Sequence, residues 1–368
     1  MRKFFGSAQI FSLSSGRAAL WLILKAQSRL KPGKKEVLIP AYTCPALASS
    51  ILKAGLRPAL VDITLPNFGL SVEDLQRAAG PDTLAAVIVH LFGFPANVGE
   101  INKFCKEKDI FLIEDSAQAL RNPAVGSPGT MAGLEGDAGF FSFGRGKPLS
   151  VLHGGVAVFG SEDIFDSATA IFKDLTAPSM TAAMEYAVKL CSYLVFSHPR
   201  FYWIPEKLSF LHLGETIFEP EFEASKGLRF GRLIFNEMAH LVNEEQVIRE
   251  RNSLWYGEAF NGLRHVVRPP VLPFPYLRYP LMIRETELRD IILNELRSQG
   301  TGAALYYPSP LNTLPGLRDV LQDPRVYENA EKISKQLITL PVHSGVTPRD
   351  LEAIKSIVLN AAATWSNR

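Results

Sequence analysis

The chain has 368 residues, with 39 Lys and Arg against 37 Asp and Glu, 47% hydrophobic residues and 21% charged ones. That balance excludes a disordered chain and allows a sizeable core, at a length suited to two domains or to one large α/β unit with an appendage. A net charge of +2 supplies no basic face for nucleic acid, and Cys44, Cys105 and Cys191, odd in number and never paired as C-x-x-C, argue against a disulfide scaffold or a metal site and for a reducing, cytoplasmic setting.

Ser14 and Ser15 offer an N-cap to GRAALWLILKAQSRL, whose apolar positions recur at helical spacing until Pro32-Gly33 stops it. EVLIP is a short buried strand. PALASSILKAG then reads as a helix from Pro45 to Gly55, followed by strand PALVDI, helix SVEDLQRAA, strand LAAVIVH, helix NVGEINKFCKEK and strand IFLIED. Continuous apolar strands between amphipathic helices predict a mostly parallel sheet covered on both faces. The rhythm changes at about 170–225, where TAAMEYAVKLCSYLVF is an apolar helix candidate and the residues after it are rich in aromatics, Pro and Gly, as in an insertion. From about 230 one amphipathic helix (LIFNEMAHLVNEEQVIRERNSLWYGEAF) leads to strand PLMI, helix ELRDIILNELRSQG and a last helix from Pro348. The expected division is a large domain over 1–230 and a smaller α+β domain over 231–368.

Parallel sheets bind ligands at the carboxyl ends of their strands, which directs attention to Tyr42-Thr43, His90, Glu114-Asp115 and the segment after FFSF. There Gly144, Arg145 and Gly146 leave the backbone open and Lys147 follows, a lysine placed for Schiff-base chemistry or simply carried on a surface loop. Asp115, at the end of its strand, could hold a proton on a ring nitrogen, with Gln118 on the same side, or it could cap a helix. Ser15-Gly16-Arg17-Ala18 starts a helix whose free amides suit a phosphate or need only an ordinary cap. Together the three supply what pyridoxal phosphate requires: an amine for the aldehyde, an acid for the pyridine nitrogen and a helix start for the phosphate.

These segments resemble the DegT-type (StrS-type) sugar aminotransferases, pyridoxal-phosphate enzymes of the aspartate-aminotransferase-like fold. The similarity runs through SGRAAL (15–20), EVLIPAYT (36–43), VHLFGFPAN (89–97), IEDSAQAL (113–120), GFFSFGRGKPL (139–149), GG-x-A-V-F (154–159), YYPSPLN and ITLPVHSGVT, in the family's order. The resemblance implies that Lys147 holds the cofactor aldehyde and shuttles the proton, that Asp115 keeps the pyridine nitrogen protonated, that Gln118 meets the ring hydroxyl, and that Ser142 binds the phosphate with the amides of Arg17 and Ala18. It also implies a homodimer with active sites at the subunit interface, an amino acid donor such as glutamate and a keto-sugar acceptor, most plausibly nucleotide-linked, in polysaccharide or natural-product synthesis. The alternatives are elimination or dehydration on a related substrate, which Lys147 argues against because dehydrating relatives carry histidine there, and a non-catalytic regulatory role.

Several positions depart from the family pattern. Cys44 stands where an aromatic usually stacks on the cofactor ring, with Tyr42 either a substitute or, as strand-end tyrosines as often are, part of the core. Arg17 replaces a small residue, His153 an acidic one, and Tyr306 a frequent histidine. The insertion either packs on its own subunit, enlarges a dimer interface, or makes a membrane-surface or lipid-linked-substrate contact through 180–213, with Phe201, Tyr202 and Trp203 as interfacial anchors.

Overall fold

The apolar runs of the first half become one seven-stranded sheet in the computed structural model, which describes residues 1–6, 9–124, 130–196, 216–269, 271 and 273–367. Its strands are β1 (Ile10–Leu13), β2 (Glu36–Pro40), β3 (Arg57–Val61), β4 (Thr83–Val89), β5 (Phe111–Asp115), β6 (Ala138–Ser142) and β7 (Gly155–Phe159), in spatial order β1-β7-β6-β5-β4-β2-β3. Pairing is parallel from β3 to β6 and antiparallel where β7 joins β6 and β1. Every residue of β4 is buried, as helices on both faces of a central strand require. Ala85, Val87 and Val89 face one apolar cluster while Ala86 and Ile88 face the other, the period-2 alternation of a pleated strand.

The helices of this half are α1 (Arg2–Phe5), α2 (Gly16–Leu30), α3 (Ala46–Lys53), α4 (Val72–Ala78), α5 (Val98–Glu107), α6 (Glu162–Asp174) and α7 (Met180–Phe196). α2 spans the residues its periodicity predicts and starts at its Ser15 cap, whose side chain accepts from the Ala18 amide. The single helix expected from about 230 is two, α8 (Arg229–Met238) and α9 (Leu241–Ala259). The ladder breaks at Ala239-His240, where the Asn243 amide bonds back to the His240 carbonyl, and the break lets Phe235 and Val242 enter the same cluster with Phe5, Phe141 and Phe143. A second sheet, β10-β9-β8, holds β8 (Val266–Val267), β9 (Tyr279–Ile283) and β10 (Leu337–Leu340), and the helices Thr286–Ser298 and Pro348–Ser366 pack together beside it. Tyr256, Tyr276 and Tyr279 from this half belong to the same continuous core as Leu13 and Ala19, so one apolar interior spans both sheets.

Candidate cofactor site

The carboxyl ends of β4, β5 and β6 converge with the start of α2. Just beyond β4, His90 is fully buried against Glu114 of β5, with Nε2 at 2.9 Å from the carboxylate. The Ala96 amide donates to Nδ1 at 3.0 Å, so the ring proton sits on Nε2 and is given to Glu114. Glu114 also accepts from the amides of Gly133, Glu135 and Gly136, at 2.8, 2.6 and 2.6 Å. Burial pushes this carboxyl up, but the His90 hydrogen bond, with the Gly136 and Gly133 amides, outweighs it and holds the pKa below the ordinary value. A carboxyl that titrates lower when folded contributes its stability in full above the unfolded value and loses it as pH falls through the folded one. Removing the acceptor strands three amides and an imidazole in the interior. Glu114→Ala should therefore lose about 3–5 kcal/mol of stability at neutral pH. In urea titrations Glu114→Gln should also show a flatter loss of stability below about pH 4.3 than the parent.

Asp115 follows at the very end of β5 and is 7% exposed. No helix follows it: Oδ1 takes the Ala117 amide two residues on, at 2.9 Å, and Oδ2 has no partner among the described residues. Burial raises its pKa, opposed by Lys147, the Ala117 amide and His90. A buried carboxylate with one oxygen uncommitted is a site for a cationic hydrogen-bond donor. Lys147 stands on the loop between β6 and β7, whose base is closed by bonds from Val151 to Phe143 and from Phe143 to Gly154, at 3.0 Å each. Gly146, at φ +73°, makes the turn that presents the lysine, a conformation that favours glycine. Lys147 lies near enough to Asp115 and Cys44 for its charge to lower both of their pKa values against the burial that raises them.

Gln118 faces the same cleft with a defined amide orientation. Its Oε1 accepts from the Phe92 amide at 2.8 Å and from the Tyr306 hydroxyl at 2.6 Å, so its NH2 group is left as the donor, which suits an anionic ring oxygen. Sequence reasoning noted Tyr306 only as a departure; its hydroxyl sets Gln118. Tyr306→Phe should weaken pyridoxal phosphate binding about fivefold to tenfold, the worth of one hydrogen bond. It should also move the pH dependence of the bound cofactor's visible absorbance, measured by spectral titration, which a simple packing loss would not do.

Tyr42 corrects an expectation. It is 1% exposed, and its hydroxyl donates to the Tyr307 carbonyl at 3.2 Å and accepts from the Tyr307 amide at 3.1 Å. It is a core tyrosine that fixes the 306–307 segment, not a ring laid open to a cofactor, and the aromatic side chains beside Cys44 are Tyr306 and Tyr307.

At the phosphate end, Gly16 and Ser142 touch: a Cβ on Gly16 would lie 2.8 Å from Ser142 Cβ and 3.2 Å from its Oγ. The start of α2 and the end of β6 thus form a cradle that a side chain at position 16 would fill. The two amides expected there differ. That of Ala18 is taken by the Ser15 cap at 3.1 Å, while that of Arg17 makes no hydrogen bond to a described residue. Ser142 Oγ has only the Gly144 amide, at 3.4 Å. These residues fit a phosphate at Ser142 and Arg17, with Ala18 contributing to the cap.

The segment departing from the α/β rhythm touches this cleft from two sides. Tyr186 of α7 donates to the Val151 carbonyl at 2.8 Å, and its ring meets that of His153 at 5.5 Å, so α7 docks on the lysine loop. The returning strand-like stretch from residue 216 crosses the start of α2: Glu219 pairs with the Arg17 guanidinium at 2.5 Å, and Phe222 lies 5.2 Å beneath it. This stretch then pairs with β1 through Ser14, Ser225 and Gly227. One face of α7 therefore packs on its own chain, while Met180, Met184 and Val188 remain 79, 66 and 67% exposed. Phe201, Tyr202 and Trp203 lie outside the described residues. Among the described residues no helix is long and apolar enough to cross a membrane.

A model of the DegT/DnrJ/EryC1/StrS aminotransferase family matches residues 1–192 and 235–359. The stretch it leaves out begins at 193, later than the 170 at which the sequence rhythm changes. Among curated proteins, dTDP-4-dehydro-2,3,6-trideoxy-D-glucose 4-aminotransferase of Saccharopolyspora spinosa is 25% identical over 349 residues, covering 94% of this chain and 82% of its own. UDP-N-acetyl-3-dehydro-α-D-glucosamine 3-aminotransferase of Acidithiobacillus ferrooxidans is 24% identical, covering 96% of this chain and 84% of its own. Among solved structures, the aminotransferase TlmJ of Streptoalloteichus hindustanus superposes with a TM-score of 0.76 at 20% identity, over 99% of this chain and 89% of that one.

Proposed function

Since the chain belongs to the DegT/DnrJ/EryC1/StrS aminotransferase family, whose cofactor is pyridoxal phosphate, we propose that it moves an amino group from an amino acid, glutamate first among candidates, to a nucleotide-linked keto-sugar. The reading places it in the cytoplasm, as a homodimer whose partner completes the pocket. The observation that carries it is the meeting of Lys147, Asp115 and the donor face of Gln118 in one cleft, with the Gly16–Ser142 cradle at its edge.

Bound there, pyridoxal phosphate supplies an aldehyde for amine exchange and a ring that withdraws electrons from the carbon losing its proton. The chain's own groups do the rest. Lys147 would hold the aldehyde, and its Nζ, once freed, would be the base that moves a proton between the substrate carbon and the cofactor carbon bearing the nitrogen. Asp115 would offer its free Oδ2 to the pyridine nitrogen and favour a proton there, while the Gln118 NH2 group would donate to the ring oxygen. Ser142 Oγ and the Arg17 amide would receive the phosphate, while the Arg17 guanidinium is held away by its ion pair with Glu219. Tyr306 and Tyr307 provide the aromatic wall that Cys44 cannot, and the packing of this wall against Phe92 keeps water from that side.

The test divides the reaction in two. Mixing the yellow holoenzyme with glutamate should bleach the lysine-bound cofactor and release 2-oxoglutarate. Adding a panel of nucleotide-linked keto-sugars should restore the colour and yield an amino-sugar. Failure of the first half would favour elimination or a regulatory role, and failure of the second alone would remove the nucleotide-sugar acceptor.

A further inference from the structure

Arg17 carries its amide and its guanidinium to different places. The amide belongs to the first turn of α2, beside the Gly16–Ser142 cradle, whereas the guanidinium lies against the stretch over 216–227, where it already holds a carboxylate, that of Glu219. We infer that this guanidinium is the seat for the second carboxylate of a dicarboxylic amino donor, and that Glu219 is a placeholder that gives way to it. The inference rests on the transaminase reading and adds to it the class of donor and the residue that selects it.

The contact itself shows which chemistry the guanidinium accepts. Nη1 alone bonds Glu219, through Oε2, and no other hydrogen bond from this side chain reaches a described residue. The rest of the planar fork is left for a carboxylate that can meet it with both oxygens. The two side chains are 30 and 60% exposed, a setting in which an ion pair adds little, so an incoming carboxylate displaces Glu219 at small cost. Phe222 lies 5.2 Å beneath the guanidinium and fixes its plane. The same ring lies 5.3 Å from the Lys53 ammonium, which Glu221 takes up at 3.4 Å. Position follows from the neighbours: Arg17 succeeds Gly16, which touches Ser142, and the Cys44 thiol feels the charges of Lys147, Asp115 and Arg17 together. The guanidinium therefore stands on the side of the cleft where Lys147 acts, and a donor with its amine at the lysine and a carboxylate at its far end meets both. Glutamine has the length and shape of glutamate with an amide in place of that carboxylate, and a charged fork discriminates against it. Glu219 can be altered without unseating the stretch that bears it, because the Ser14 amide bonds the Ser225 carbonyl at 3.0 Å and the Gly227 amide bonds the Ser12 carbonyl at 2.9 Å.

Single-turnover bleaching of the holoenzyme by glutamate and by glutamine, at saturating pyridoxal phosphate, tests it, and the ratio of the two second-order rate constants is the readout. Arg17→Gln should lower the glutamate-to-glutamine ratio about tenfold or more, the worth of a charge-assisted hydrogen bond, through a higher half-saturating concentration of glutamate. Glu219→Gln should raise the ratio about twofold to fivefold by removing the competing carboxylate. Arg17→Gln/Glu219→Gln should show the ratio of Arg17→Gln alone, since Glu219 acts through the arginine. Rising salt should lower the ratio in the parent and leave it level in Arg17→Gln. A ratio unmoved in Arg17→Gln, a ratio that falls in Glu219→Gln, or a loss confined to the acceptor half-reaction would each overturn the proposal. So would an equal loss for both donors that follows a fall in cofactor affinity, by giving the guanidinium to the cofactor's phosphate. A parent bleached by no amino acid would remove the transaminase reading and the proposal with it, whereas a parent bleached by glutamate whose ratio ignores Arg17 would remove the proposal alone.

Discussion

Lys147→Ala should abolish transamination, lowering the rate by more than about 10⁴-fold, the upper end of what one positioned proton-transfer group contributes. The same change removes the proposed attachment for an aldehyde, so two readouts should move together. Borohydride reduction followed by mass spectrometry should add the cofactor's mass to the parent chain at Lys147 and nothing to the variant. Folding should be intact, because Lys147 is only partly buried, on a loop anchored by the buried Leu149 and Val151 rather than by the lysine itself. A variant that still turns over, or a parent labelled at a different lysine, would remove Lys147 from its role.

Asp115→Asn should be the second largest loss, about a hundredfold to a thousandfold in rate, as when a single preorganised electrostatic partner is withdrawn. Asparagine can still accept from the Ala117 amide through its oxygen, so the local turn survives and only the charge is lost. The effect belongs in the rate of the glutamate half-reaction and in the absorbance of the bound cofactor. Melting temperature should move little, since burial raises the carboxyl's pKa even against the charge of Lys147, so the ionised form contributes little to stability. Asp115→Ala adds a stranded amide, and comparison of the two variants separates charge from scaffolding.

Much of the architecture was legible because local signals agree with it. α2 begins at Ser15 and ends by Lys31, where the sequence moves from helical periodicity to Pro32-Gly33, and β2 coincides with EVLIP. The strand ends also pointed to a single neighbourhood, since chain order and parallel pairing alone bring residues 90, 115 and 142 to one edge. What escaped was long-range. β1 is four residues long with only Leu13 buried, and it exists because β7, far along the chain, pairs with it. Tyr42 looked like a ring at a strand end, and its fate is set by residue 307, which no local pattern announces. His90 and Glu114 could each be placed on a strand end, but their mutual bond and the three amides around Glu114 arise from the loop at 133–136 folding back. The break at Ala239-His240 carries no proline or glycine and follows from where the aromatic cluster needs Phe235 and Val242.

The excursion that begins with α7 leaves the lysine loop by way of Tyr186 and comes home over Arg17 by way of Glu219 and Phe222. Its described ends therefore rest on the two sides of the candidate cleft, the loop bearing Lys147 and the start of α2. Contacts of that kind couple the two sides with equal strength in both directions. Loosening either one, at Tyr186 or at Glu219, should weaken the hold on a coenzyme whose own contacting residues are untouched.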